Sequence, residues 1–181
     1  KFEPLKLDNP MRLRKHLENT LSREPQRTQE FEHGFNNYIK NELNLKRLLY
    51  PYSGANSQFL TSSNESVCKI FLNVEALQTN IALVLLERMS TIADALGEQA
   101  EFFKLEDNIP RMILSQFRWL DTIKNCKKIA DRLIDVLEHC PPYFNKEIIT
   151  AIPEIIVDSE HVYVAEKLQQ YMNTDQQYTI C

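Results

Sequence analysis

Asn108–Asp121 reads NIPRMILSQFRWLD, and the fold of the whole chain turns on it. Asn108 can cap a helix with its side-chain oxygen, and Pro110 falls in the first turn, where a missing N–H costs nothing. At about 100° per residue, with Met112 as zero, Trp119, Ile123, Ile109, Leu120, Ile113 and Phe117 fall within an arc of roughly 160°. Arg111, Arg118 and Asp121 lie outside that arc. One neighbour cannot cover so wide an apolar stripe. The stretch predicts a helix packed on two sides, as in a stacked helical array, with Trp119 in its core.

The chain on either side supports that reading. Downstream, Asn125–Cys140 has Ile129, Leu133, Val136, Leu137 and Cys140 on one face, and Pro141-Pro142 stops it. Asn145–Val157 follows, with Pro153 expected to kink or split it. Ser159 is placed to cap a last helix, Glu160–Met172, whose inner residues are Val162, Val164, Ala165, Leu168 and Tyr171.

Upstream, Leu5–Asp8 reads as extended. Asn9-Pro10 opens a helix to about Ser22, with Met11, Leu13, His16, Leu17, Thr20 and Leu21 inward. Pro25 opens another, carrying Phe31, Phe35, Tyr38 and Ile39. Gly34 weakens it by about 1 kcal/mol relative to Ala, and close packing against a neighbour is the expected reason for it. Glu42–Leu49 and Glu65–Leu72 are shorter helical pieces. Asn73 is expected to cap a long helix to Leu96, which Gly97 ends. Two irregular stretches remain, residues 50–63 and the acidic connection 98–107.

Helices of 12–16 residues joined by short linkers predict an all-α fold, a HEAT-like α-solenoid of paired antiparallel helices. The 181 residues suit one such segment of a longer protein, and the start at Lys1 is that of a fragment or a processed chain. Only 3 glycines argue against a turn-rich β fold, and 43% hydrophobic residues against wholesale disorder. A net charge of −4 supplies no global attraction to nucleic acid or an acidic membrane. Cys68, Cys126, Cys140 and Cys181 form no close pair, so neither a zinc site nor a disulfide framework is indicated, and reduced thiols are expected. The longest apolar run, Ile81–Leu86, is far short of a membrane span.

The wording of two stretches resembles the amino-terminal region of the Fanconi anaemia group D2 family. These are NIPRMILSQFRWLD and EIITAIPEIIVDSEHVYVAEKL, Glu147–Leu168. The shared frame is Asn108–Arg111, Ser115-Gln116, Trp119–Asp121, Ile148–Thr150, Pro153–Ile155 and Asp158–His161. The likeness is strongest over residues 108–168, and the loops 50–63 and 98–107 depart from the family pattern. The resemblance implies a long nuclear α-solenoid protein of DNA interstrand-crosslink repair. Such proteins pair with the Fanconi anaemia group I protein, bind DNA as that pair, and clamp it after monoubiquitination. It implies no catalysis and no cofactor here, and an acceptor lysine beyond this chain.

A ubiquitin-binding element of the CUE type has been proposed for the family in this region. Its match would be Pro110–Cys140, which lacks the Met-Phe-Pro signature of that module. Leu133 and Leu137 are then the candidate ubiquitin contacts, although their spacing equally suits a core face. Lys124, Lys127, Lys128 and Arg132 are candidate phosphate contacts, and through them DNA could touch the segment. Asp131 and Asp135 lie among them, as on a solvated helix face. No Gly-rich phosphate loop, metal motif or catalytic triad pattern stands out.

Overall fold

The computed structural model describes residues 10–51, 65–118, 120 and 122–174. Trp119, Asp121, Leu5–Asp8, Asn9, most of the loop 50–63 and the tail beyond Thr174 lie outside the described residues. The described residues are helical apart from short connections and one isolated bridge, Pro51 to Ser66, so the all-α expectation holds. No helix among them is long and apolar enough to cross a membrane. The chain divides into two compact units, one of residues 1–84 with 120–122, the other of 85–119 with 123–181.

The first unit holds α1 (Pro10–Arg23), α2 (Pro25–Ile39), α3 (Glu42–Leu49), α4 (Val67–Leu72) and the start of α5 (Glu75–Leu96). α1 packs on α2 and α4, and α3 packs on the same two. Leu13, Leu21, Phe35, Ile39, Leu45, Leu49, Leu72 and Leu77 form its core. Phe71 stands edge-on to Phe31 and Phe35, with ring centroids 5.1 and 6.2 Å away. The Asn41 side chain accepts from the Asn44 N–H at 3.2 Å, and Ser66 Oγ from the Lys69 N–H at 3.0 Å; these caps set the starts of α3 and α4.

Several inward assignments in this unit are corrected. Met11 is 70% exposed, and His16 and Tyr38 also face solvent, because α1 and α2 are covered over a narrower arc than their apolar stripes span. Asn73 ends α4 rather than starting α5; its N–H donates to the Ile70 carbonyl at 3.2 Å. Gly34 is exposed, and a Cβ built there meets no atom within 4 Å, so close packing does not explain it. Gly34→Ala should therefore raise the unfolding free energy by about 0.5–1 kcal/mol, the helix-propensity difference alone. Urea denaturation of the two forms checks this.

The second unit holds the rest of α5, 3-10 turns at Glu98–Phe102 and Leu105–Asp107, then α6 (Ile109–Phe117), α7 (Cys126–Leu137), α8 (Pro142–Ile155), a 3-10 turn at Asp158–Glu160 and α9 (His161–Thr174). Gly97 ends α5 at φ +61° and ψ −165°, a conformation that favours glycine. Asn125 precedes α7 at φ +50°, in the left-handed region that asparagine tolerates.

The decisive helix is shorter than its periodicity suggests. Arg118 turns extended, at φ −69° and ψ 136°, so Leu120 and Ile123 do not extend the stripe of α6. Within it, Ile109, Met112, Ile113, Leu114 and Phe117 are buried, which is the two-sided packing expected. Pro142 starts α8 three residues before the expected Asn145. Pro153 does not split α8: it sits in the last turn, and the helix closes past it with Ile156 N–H to Ile152 O at 2.8 Å. α9 begins at His161, after the Asp158–Glu160 turn rather than a Ser159 cap. Of its expected inner residues Val164 is buried, whereas Val162 is 71% exposed and Ala165 also faces solvent.

Candidate functional site

In the second unit, polar side chains fix how successive helices meet. Arg111 points from α6 to Glu147 of α8, with its Nε 2.8 and 2.9 Å from the two carboxylate oxygens. One helix-register later, Arg118 pairs with Glu154, its Nη2 donating to Oε1 at 2.9 Å. Both pairs join residues 36 apart. Glu147 and Glu154 are seven residues apart on α8, about 10 Å of rise, while Arg118 stands in the extended turn just past α6. The pairs fall in the same order on both strands of the match, so α6 and α8 run in the same direction. α7 packs on α8 and is joined to it by residues 138–141, a turn short enough to reverse the chain.

Two buried asparagines do related work. Asn108 is fully buried; its Oδ1 accepts from the Arg111 N–H at 3.0 Å and its Nδ2 donates to the Ala100 carbonyl at 3.0 Å. Asn145 donates to the Leu137 carbonyl, also at 3.0 Å. Each ties the early part of a helix to a carbonyl eight residues back. Buried amides of this kind are costly unless bonded, so they specify the packing. The sequence reading found Asn108 as a cap but missed both ties. The signal for the ion pairs was present: Arg-x6-Arg and Glu-x6-Glu recur 36 residues apart.

Leu133 and Leu137 are fully buried on α7. In the folded chain these side chains offer no surface to ubiquitin, so contact with it would require α7 to open. Ubiquitin titrated to about 1 mM, the weak end of such binding, should leave the amide signals of Cys126–Leu137 in place. Movement of signals around Leu133 would show that α7 opens.

The four candidate phosphate contacts do not converge. Arg132 lies 3.9 Å from Glu87 of α5, whereas Lys127 lies 3.8 Å from Glu160 before α9 and stands over the Tyr163 ring at 5.3 Å. Lys124 and Lys128 are exposed. The Tyr163 hydroxyl donates to Asp131 at 2.5 Å, and this bond is the main cause that raises the Tyr163 pKa. Asp131, Asp135 and Glu138 line an open cleft of about 490 Å³ with Lys167 and Gln170, so carboxylates are interleaved with the basic residues.

Thiol chemistry is suppressed where it can be read. Burial pushes Cys68 up to about 12 and Cys140 up to about 11; desolvation also raises Cys126. Thiolates are the nucleophilic and metal-binding form, so Cys68 and Cys140 are inert near neutral pH. Among the described residues, no group of three or more His, Cys, Asp or Glu could hold a metal ion. An open cleft of about 340 Å³ in the first unit has both apolar lining, including Phe35, Ile81 and Val84, and polar lining, including Gln29 and His33; there Glu32 accepts from Asn80 at 2.8 Å.

Residues 6–181 match the family described as "Fanconi anaemia protein FancD2 nuclease". The chain is 29% identical over 156 residues to the Fanconi anemia group D2 protein of Gallus gallus, covering 83% of this chain and 10% of that protein. It is 25% identical over 163 residues to the Fanconi anemia group D2 protein homolog of Rattus norvegicus, covering 86% of this chain and 11% of that protein. The chain thus spans about a tenth of the length of the curated relatives it matches.

Proposed function

Since the chain belongs to the Fanconi anaemia group D2 family, we propose that it is a non-catalytic scaffold segment of a nuclear DNA interstrand-crosslink repair protein. On this reading it forms part of a HEAT-like α-solenoid that pairs with the Fanconi anaemia group I protein. The full-length pair binds DNA and clamps it after monoubiquitination. The observation that carries the scaffold reading is the parallel stacking of α6 and α8. Two charged pairs in one order, one from α6 and one from the turn just past its end, are what successive repeats of an array need, and they leave the outer faces for partners.

DNA contact is assigned to the full-length complex rather than to Lys124, Lys127, Lys128 and Arg132 acting together, because two of these four already face carboxylates on different elements. Deleting residues 10–174 from the full-length protein tests the pairing role. The account predicts at least a tenfold loss of affinity for the group I protein, with the remaining chain still folded by circular dichroism. Unchanged affinity would remove this segment from the pairing surface.

A further inference from the structure

The connection between α5 and α6 is acidic, and it also carries the most exposed large apolar side chain among the described residues of the second unit. Phe102 is 86% exposed, Leu105 59% and Phe103 39%. A slack loop would fold such residues back, since burying a phenylalanine is favourable by about 1.5–3 kcal/mol. This loop is not slack. Ala100 is fully buried and its carbonyl accepts from Asn108 at 3.0 Å. Arg111 Nη1 donates to the Glu101 carbonyl at 3.1 Å and to the Phe103 carbonyl at 3.0 Å, while its Nε holds Glu147. Both ends of Phe102 are therefore fixed by a guanidinium that is itself anchored on α8. The side chain is held outward by its backbone.

Charge limits what can cover it. Glu98, Glu101, Glu106 and Asp107 accompany Lys104 in the same ten residues. This rim repels duplex DNA and anionic membrane, and it favours a surface with basic edges. We propose that the loop Gly97–Asn108 is a preformed docking knob for a polypeptide that offers an apolar strip flanked by lysine or arginine. Fixing the loop beforehand removes the ordering cost of binding, so a small apolar contact suffices for recognition. The footprint of three side chains is well below the roughly 1,200 Å² of a standard interface, so the contact is a weak, additional one. The proposal is independent of the pairing with the group I protein.

The probe is an 18-residue amphipathic helical peptide with a leucine strip and lysine flanks, titrated into the isotope-labelled chain. A second peptide has the same strip with glutamate flanks. The lysine-flanked peptide should shift amide signals of residues 98–107, and Phe102→Ser should weaken it about tenfold or more. Because Phe102 is exposed, that variant keeps the fold. Glu98→Lys with Glu106→Lys should reverse the preference between the two peptides. Equal binding of both peptides, shifts confined to other residues, or binding of the loop to a DNA duplex or to phosphatidylserine vesicles in place of the peptide would overturn the proposal.

Discussion

Phe117→Ala is expected to lower the unfolding free energy by about 3–5 kcal/mol. Phe117 is fully buried at the end of α6, a helix in which most residues are buried. Deleting the ring removes its transfer free energy and leaves a cavity that a close-packed surrounding only partly fills. A loss of that size is a large fraction of the 5–15 kcal/mol that holds a typical domain. Chemical denaturation followed by circular dichroism measures it. A loss below about 1 kcal/mol would mean that α6 is covered on one side only.

Arg111→Ala carries the second large effect. The guanidinium holds Glu147 through Nε and Nη2, supplies the donor to two loop carbonyls, and lies over the Tyr143 ring at 5.6 Å from its centroid. The Glu147 bond is also the main cause that raises the Arg111 pKa, so the guanidinium is charged at any working pH. Removing it strands a carboxylate and unties the loop. The expected loss is about 2–3 kcal/mol, below the 3–5 of a fully buried pair because the Glu147 side chain keeps 33% of its exposure. Exchanging the pair, Arg111→Glu with Glu147→Arg, should recover about 1 kcal/mol through the Coulomb term but not the loop contacts. If the exchanged pair were no better than either single change, the register of α6 on α8 would be in doubt.

How much of this was legible in the sequence depends on what each feature rests on. The starts of α2 and α6 were readable, because Pro25 and Asn108 act on their own next turn, whereas the starts of α5, α8 and α9 were not. The end of α6 was not. Apolar periodicity continues through Trp119, Leu120 and Ile123 with no glycine or proline to interrupt it. The helix ends where the Arg118 backbone turns extended, and no residue type at that point announces it. Exposure of Met11 and Val162 was equally unreadable, since a helical wheel shows which residues share a face but not whether anything covers it. Pro153 misled for a geometric reason: a proline breaks a helix interior, whereas here it sits in the final turn.

The candidate site shows the same division. Leu133 and Leu137 had the spacing of a core face, and the structure puts them in the core. The basic residues of α7 look clustered in one dimension, but Lys127 and Arg132 are five positions apart, about 140° around the helix, and meet acids on different elements. The clamped loop was visible only as an acidic connection. That its backbone is held by Asn108 and Arg111 needed the fold.

Size-exclusion co-elution of this chain with the Fanconi anaemia group I protein, with and without duplex DNA, tests the scaffold account most directly. The account predicts co-elution in both conditions, because it assigns a pairing surface to this segment and DNA holding to the complete pair. Elution of the folded chain alone, with and without DNA, would contradict it and move the pairing surface to another part of the protein.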